Sequence, residues 1–241
     1  ASSKASNYQT VPALADLEID ESASYLHITP NETIGGLEFS ELPETQVPIV
    51  ADLSSTILSR KIDVSKYGLI YAGAQKNIGP AGVVVVIIRK DLLARSEDSL
   101  PTTWNFAKIA ENGSMVNTPP TYSIYLANLV FEWLLEQGGV EAIEEINIEK
   151  ARRLYQKLDS SRLFSNGIDG NYRSRMNIPF TLADESLEKA FLAESEAAGL
   201  KTLAGHRSVG GMRASIYNAM PMDGVVSLID FMNAFEKKYG Y

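Results

Sequence analysis

The chain has no cysteine among its 241 residues, which removes disulfides, thiolate metal sites and a cysteine nucleophile together. Its two histidines, His27 and His206, are too few to build a histidine-based zinc site, so no metal is expected. No segment approaches the roughly 20 apolar residues of a membrane-spanning helix, and the opening ASSKASNYQT lacks the apolar core of a signal peptide. Basic charge is also scarce: 22 Lys and Arg face 30 Asp and Glu, for a net charge of -8. That deficit argues against non-specific nucleic-acid binding, and it requires any anionic ligand to be met by locally clustered arginines. The remaining expectation is a soluble, cytoplasmic protein with small-molecule partners and neither nucleic acid nor membrane. At 45% hydrophobic and 22% charged residues it has an ordinary globular composition, and it is long enough for one large or two small domains.

The Ser, Asn and Ala-rich start leads into chain with no obvious first strand, as though the segment enters a larger fold midway. Short apolar runs follow at Tyr25–Ile28, Pro48–Leu53, Gly68–Tyr71 and Gly82–Ile88, each of strand length. GVVVVII is β-branched and apolar without alternation, which predicts a strand buried on both faces and hence an α/β architecture with helices flanking the sheet. From Ser123 the period becomes helical, with Ile124, Leu126, Leu129, Val130, Trp133 and Leu134 on one stripe and Thr121 or Ser123 as the candidate cap. Gln137, Gly138 and Gly139 break it. A second amphipathic stretch runs over Val140–Leu158, with Ile143, Ile146, Ala151, Leu154 and Leu158 on its stripe and its charges on a solvated face. The last hundred residues predict a small α+β unit: strands at Arg175–Phe180 and Met212–Ile216, and helices at Ser186–Ala198 and Asp223–Tyr239. The glycine break places the domain boundary between 1–138 and 139–241.

Two residues stand at predicted strand ends. Asp52 closes the run PIVA, and Lys76 lies in YAGAQKNIGPAG, just after the next run. In open α/β sheets that edge is where ligands bind. A lysine set among small residues suits a carbonyl-binding amine if its surroundings lower its pKa; read alone, it is also what a surface loop would carry. An acid and an amine on neighbouring strand ends make either a salt bridge or the pair that pyridoxal phosphate chemistry uses. His206, Arg207 and Arg213 form a further cluster, and guanidinium groups match carboxylate and phosphate oxygens in two-point contacts. His27 lies inside an apolar run and reads as structural. The glycines at 73, 79 and 82 do not spell GxGxxG, and Lys76 precedes Asn77 rather than Ser or Thr, so neither a dinucleotide fingerprint nor a P-loop is present.

Four segments, HITPNETIGG (27–36), ADLSSTILSRKIDVSKYGLIYAGAQKNIGPAG (51–82), NGSMVNTPPT (112–121) and GHRSVGGMRASIYNA (205–219), resemble those of the phosphoserine aminotransferases, within the fold-type-I pyridoxal phosphate enzymes. The likeness runs from about Tyr25 to the C-terminus. It implies that residues 1–138 are the C-terminal part of a cofactor-binding large domain with a mainly parallel sheet, and that 139–241 are the small α+β domain. It implies a Schiff base between Lys76 and pyridoxal 5'-phosphate, with Lys76 then shuttling the substrate proton, and Asp52 keeping the pyridine nitrogen protonated. Gln75 and Thr33 would hydrogen-bond the cofactor, and Asn117 and Thr118 would reach its phosphate from the partner subunit of a homodimer. Arg213 would hold the substrate α-carboxylate, with His206 and Arg207 on the distal phosphate or carboxylate. The implied reaction passes an amino group between phosphoserine and 2-oxoglutarate in serine biosynthesis, with a related substrate on the vitamin B6 route. Family members extend further at the front, where a phosphate-gripping glycine turn and an aromatic residue stacked on the ring are expected. The alternative is a non-catalytic module of the same fold acting in binding or assembly.

Overall fold

The computed structural model describes residues 2–241. Two isolated 3-10 turns lead to β1 (Leu26–Ile28), followed by a small hairpin of β2 (Asn31–Glu32) and β3 (Leu37–Glu38), then β4 (Ile49–Asp52), β5 (Leu69–Gly73) and β6 (Val84–Ile88). The main sheet has the order β1-β4-β5-β6. The first two pairings are parallel and the last is antiparallel. Because side chains alternate along a strand, Ile49, Ala51, Ile70 and Ala72 point into one core, where they pack with Leu53, Ile57, Tyr67, Ala74, Ile78 and Ala127. The opposite face carries His27, Val50, Asp52, Leu69, Tyr71 and Gly73.

That second face is uncovered, which corrects two sequence expectations. The valine-rich β6 is not buried on both sides: it has a single partner, Val84 and Val86 are exposed on this second face, and Ile87 is exposed on the other. An edge strand without a layer over it keeps its β-branched sequence but not its burial. His27 is likewise exposed rather than packed in a core, and its Nε2 lies 3.0 Å from the Tyr71 hydroxyl.

After α1 (Lys90–Leu93) and α2 (Phe106–Glu111) come two long helices, α3 (Thr121–Glu136) and α4 (Gly139–Ser160). Gly138 and Gly139 both take positive φ, +98° and +82°, a region glycine enters without steric cost; this allows the sharp reversal between them. Neither Thr121 nor Ser123 caps α3. The N-cap is Pro120, and Ser123 Oγ instead donates to the Ala81 carbonyl at 3.0 Å, tying the helix to the end of the Lys76 loop. Of the expected α3 stripe only Leu134 is buried, while Ile124 and Leu129 are exposed. Ala127 makes the close contact: a Cβ on Gly79 would stand 3.3 Å from its Cα.

The expected charged face of α4 also needs correction, because Lys150 and Asn147 within it are fully buried while Ile146 of the predicted stripe is exposed. The remaining elements are β7 (Phe164–Ser165), β8 (Asn177–Leu182), α5 (Glu188–Ala197), β9 (Met212–Ser215) and α6 (Met222–Tyr239). Strands β7, β8 and β9 form an antiparallel sheet in that order. Their inner face, with α4, α5 and α6, builds a second core around Phe164, Phe180, Phe191 and Phe235. The rings meet edge-on, with Phe164 and Phe191 centroids 5.3 Å apart, the arrangement that aromatic quadrupoles favour. The short β7 has no alternating signature and was not legible in the sequence. No described helix is long and apolar enough to cross a membrane.

Candidate active site

Asp52 is the last residue of β4, and its register partner across the sheet is Tyr71 on β5. Its carboxylate is oriented from behind by the Ser54 N–H at 2.8 Å, and Ser54 Oγ in turn accepts the Gly73 N–H at 3.0 Å. Burial, and the Asp52 charge beside it, raise the Tyr71 hydroxyl above the usual tyrosine range. Lys76 sits in the turn that leaves β5, which is closed by Ile78 and Gly79 N–H groups donating to the Ala74 carbonyl. The turn brings the lysine back over the strand ends, half-buried.

The Lys76 ammonium donates to Thr33 Oγ1 at 2.7 Å. Desolvation lowers its pKa; Asp52 and Glu32 act in the opposite sense, and Arg213 adds to the lowering. The amine is thus moved toward the neutral form that attacks a carbonyl. Thr33 also joins the two cores: its backbone carbonyl accepts from Arg213 Nη1 at 3.3 Å. One residue therefore touches both the lysine of the first sheet and the arginine of the second.

The turn that holds Thr33 is firmly built. Glu32 Oε2 accepts from the Ile34 and Gly35 N–H groups at 3.2 and 2.8 Å. Gly36 takes φ +76°, and a Cβ there would stand 2.2 Å from Pro179 Cδ, so only glycine lets the turn lie on β8. Glu32 escaped the sequence reading, although a carboxylate next to Thr33 in PNET was its available signal.

The structure thus brings Thr33, Asp52, Lys76 and Arg213 together and leaves the other sequence candidates apart. Gln75 is exposed and folds over Gly73, whose Cβ would meet its Oε1 at 2.6 Å. His206 and Arg207 lie in an exposed loop closed by Val209 and Gly210 N–H groups on the His206 carbonyl. His206 Nδ1 is 2.7 Å from Ser208 Oγ within that loop. Asn117 and Thr118 are exposed on the stretch before α3, with no hydrogen bond to the Lys76 group among the described residues. A cavity of about 1030 Å³ runs from Tyr8 and Val11 along β8 to Glu32 and Ser208, opening beside the site. No cluster of potential metal-ligating side chains occurs among the described residues.

A lysine and a carboxylate on adjacent strand ends of a largely parallel sheet, with an arginine approaching from a second α+β unit, define an aminotransferase-like architecture. The model of the class-V aminotransferase family matches residues 4–228, and the chain belongs to that family. It is 74% identical over 239 residues to the phosphoserine aminotransferase of Marinomonas sp. (strain MWYL1), covering 99% of this chain and 67% of that protein. It is 58% identical to the phosphoserine aminotransferase of Pseudomonas entomophila (strain L48), covering 99% of this chain and 66% of that protein. The solved phosphoserine aminotransferase of Bacillus circulans subsp. alkalophilus superposes with a TM-score of 0.96 at 47% identity, over 98% of this chain and 66% of that one. The pyridoxal phosphate-bound phosphoserine aminotransferase of Trichomonas vaginalis gives 0.90 at 43% identity, over 95% and 65%. The resemblance read from the four sequence segments is thereby borne out, as is the α/β fold. The chain spans about two thirds of the length of the curated relatives it matches.

Proposed function

We propose that this chain supplies the amine, the carboxylate and the substrate-anchoring arginine of a pyridoxal 5'-phosphate-dependent phosphoserine aminotransferase. The reaction moves an amino group reversibly between phosphoserine and 2-oxoglutarate, giving 3-phosphohydroxypyruvate and glutamate, in serine biosynthesis. The observation that carries this reading is the Lys76–Thr33–Arg213 contact, which sets a pKa-lowered amine beside a guanidinium that can take a carboxylate.

The donor set suits the cofactor. Lys76 offers an amine to an aldehyde, Asp52 offers a fixed carboxylate on the uncovered sheet face, and Thr33 Oγ1 already engages the lysine. When bound, pyridoxal phosphate supplies an electron sink for charge developing at the substrate Cα. Lys76 would hold the cofactor aldehyde and, once displaced by the substrate amine, would carry the proton from the substrate Cα to the cofactor's C4′. Asp52 keeps a proton on the ring nitrogen, and Thr33 and Gln75 orient the ring and its substituents. Arg213 fixes the α-carboxylate, and His206 and Arg207, in their exposed loop, close on the distal phosphate or carboxylate. Residues 1–138 act as the cofactor-binding part and 139–241 as the small substrate-side domain. Asn117 and Thr118, exposed and without a hydrogen bond to their own Lys76 group among the described residues, act on a partner subunit's cofactor phosphate in a homodimer. A phosphorylated hydroxythreonine of vitamin B6 synthesis is a second substrate, and the cytoplasm is the site of action.

The test is to add pyridoxal phosphate to the purified chain and follow its visible absorption. A new band that borohydride abolishes, and that Lys76→Ala never develops, supports the reading; identical wild-type and variant spectra refute it. Addition of glutamate then bleaches the band. A band that persists would instead favour a binding module without transfer chemistry.

A further inference from the structure

Between the two cores runs a buried polar network that no group named above accounts for. Asn31, at the start of the Thr33 turn, is completely buried. Its two amide N–H donors go to Ser55 Oγ at 2.8 Å and Asn177 Oδ1 at 3.0 Å, and its carbonyl accepts from the Ser174 hydroxyl. Ser55 completes the exchange by donating to the Asn31 backbone carbonyl at 2.8 Å. Asn177, also fully buried, passes the pattern on: its own amide N–H groups reach Ser215 Oγ at 3.1 Å and the Tyr217 hydroxyl at 2.9 Å. Every side-chain donor and acceptor of the two asparagines is used. Reversing Asn31 would set carbonyl against carbonyl, and reversing Asn177 would set N–H against N–H, so the network has one polarity and one register.

Its ends are the informative part. Ser55 stands three residues beyond Asp52, while Ser215 is two residues beyond Arg213 and on the same face of β9. Asn177 and Ser215 are register partners, as are Pro179 and Arg213. The path therefore ties the loop after Asp52 to the strand that carries Arg213, and it passes through the turn whose third residue contacts both Lys76 and Arg213. A network built only to fill space would be as well served by apolar side chains, since burying polar groups gains little net stability.

We propose that Asn31 and Asn177 are positioning residues that hold Arg213 at a set distance from Lys76, and so fix where the substrate carboxylate sits relative to the reacting amine. This rests on the proposed function only for its use in catalysis. The geometry can be tested on the chain without cofactor, using the Lys76 titration as a ruler, because Arg213, Asp52 and Glu32 are the charged groups that act on that amine. Lysines are reductively methylated with 13C-formaldehyde, and the Lys76 signal, assigned by its loss in Lys76→Arg, is followed against pH by NMR. Arg213→Gln removes the repelling charge and shifts the Lys76 midpoint upward. Asn31→Ser and Ser215→Ala, neither of which changes charge, are expected to shift it upward in wild type and to add nothing in the Arg213→Gln background. Ser215→Ala deletes one hydroxyl from a half-buried strand position, so it decides the question if Asn31→Ser fails to fold. Wild-type midpoints in both variants, or equal shifts with and without Arg213, would overturn the proposal. Failure of Lys76 to take up pyridoxal phosphate would sink the proposed function while leaving this titration result standing.

Discussion

Lys150→Met should destabilise the protein by about 2–5 kcal/mol, a value that follows from two opposed effects. Lys150 has no exposed surface, and its ammonium donates to the backbone carbonyls of Ile216, Tyr217 and Met220 at 3.1, 2.9 and 3.0 Å. Desolvation lowers its pKa from 10.5 to about 8, equivalent to roughly 3 kcal/mol against the charged form, at about 1.4 kcal/mol per unit. Methionine removes that cost but leaves three carbonyls without a donor, and each charge-assisted bond lost is worth roughly 1.5–3 kcal/mol. The hydrogen bonds win. Urea unfolding near neutral pH measures the difference, and a variant as stable as wild type refutes the reasoning. The sign of the pH dependence follows from the depressed folded-state pKa. Between about pH 8 and 10.5 the unfolded chain keeps a proton that the folded chain sheds, so wild type gains stability relative to Lys150→Met as pH rises through that window. A functional cost is expected as well, because the same carbonyls shape the turn from which Asn218 N–H donates to Asn77 Oδ1 at 3.0 Å, next to Lys76.

Gly36→Ala forces a side chain into backbone of positive φ with its Cβ 2.2 Å from Pro179; a loss of about 3 kcal/mol or more is expected, and an unchanged urea midpoint would contradict it. Glu38→Ala leaves the buried Arg60 without its carboxylate partner at 3.5 Å, while Arg175 keeps Glu144 at 3.0 Å, costing about 3–5 kcal/mol in the same assay. Glu149→Ala, which breaks exposed pairs to Arg152 and Arg153, should leave the midpoint where it is. Finally, a dicarboxylate such as succinate that neutralises Arg213 raises the Lys76 midpoint in the NMR titration; a midpoint indifferent to saturating succinate argues that Arg213 is not the carboxylate group.

The α/β order and the placement of Asp52 and Lys76 at the strand-end edge were legible because both follow from local pattern: Asp52 closes one apolar run, and Lys76 is the first charged residue after the next. The small α+β unit was legible for the same reason, with β8 and β9 found within two residues at either end. What failed were statements about burial. Runs such as GVVVVII and the α3 stripe encode what could be covered, whereas exposure depends on whether another layer is present. Lys150 failed in the opposite direction, since a lysine within a charged amphipathic helix gives no sign that three carbonyls from the segment after β9 will converge on it. The Thr33–Arg213 contact joins residues 180 positions apart, beyond any periodicity.

The behaviour of Lys76 depends on which of these effects dominates. Asp52 and Glu32 both favour its charged form, and two carboxylates would ordinarily hold an amine protonated. Its pKa is nevertheless lowered, with desolvation the largest influence and Arg213 reinforcing it. The amine is thus tuned from both units at once: the first sheet supplies the burial and the acids, and the second sheet supplies the opposing cation through the Thr33 turn. A carboxylate arriving at Arg213 cancels the one influence that comes from the second unit, which shifts Lys76 toward holding a proton. Under the proposed function, an amine that is easiest to deprotonate before the carboxylate arrives, and better able to keep a proton afterwards, is suited first to attack a carbonyl and then to carry the substrate's proton. That ordering depends on Arg213 staying close to Lys76, and the buried path through Asn31 and Asn177 connects the strand of Arg213 to the turn whose Thr33 contacts Lys76.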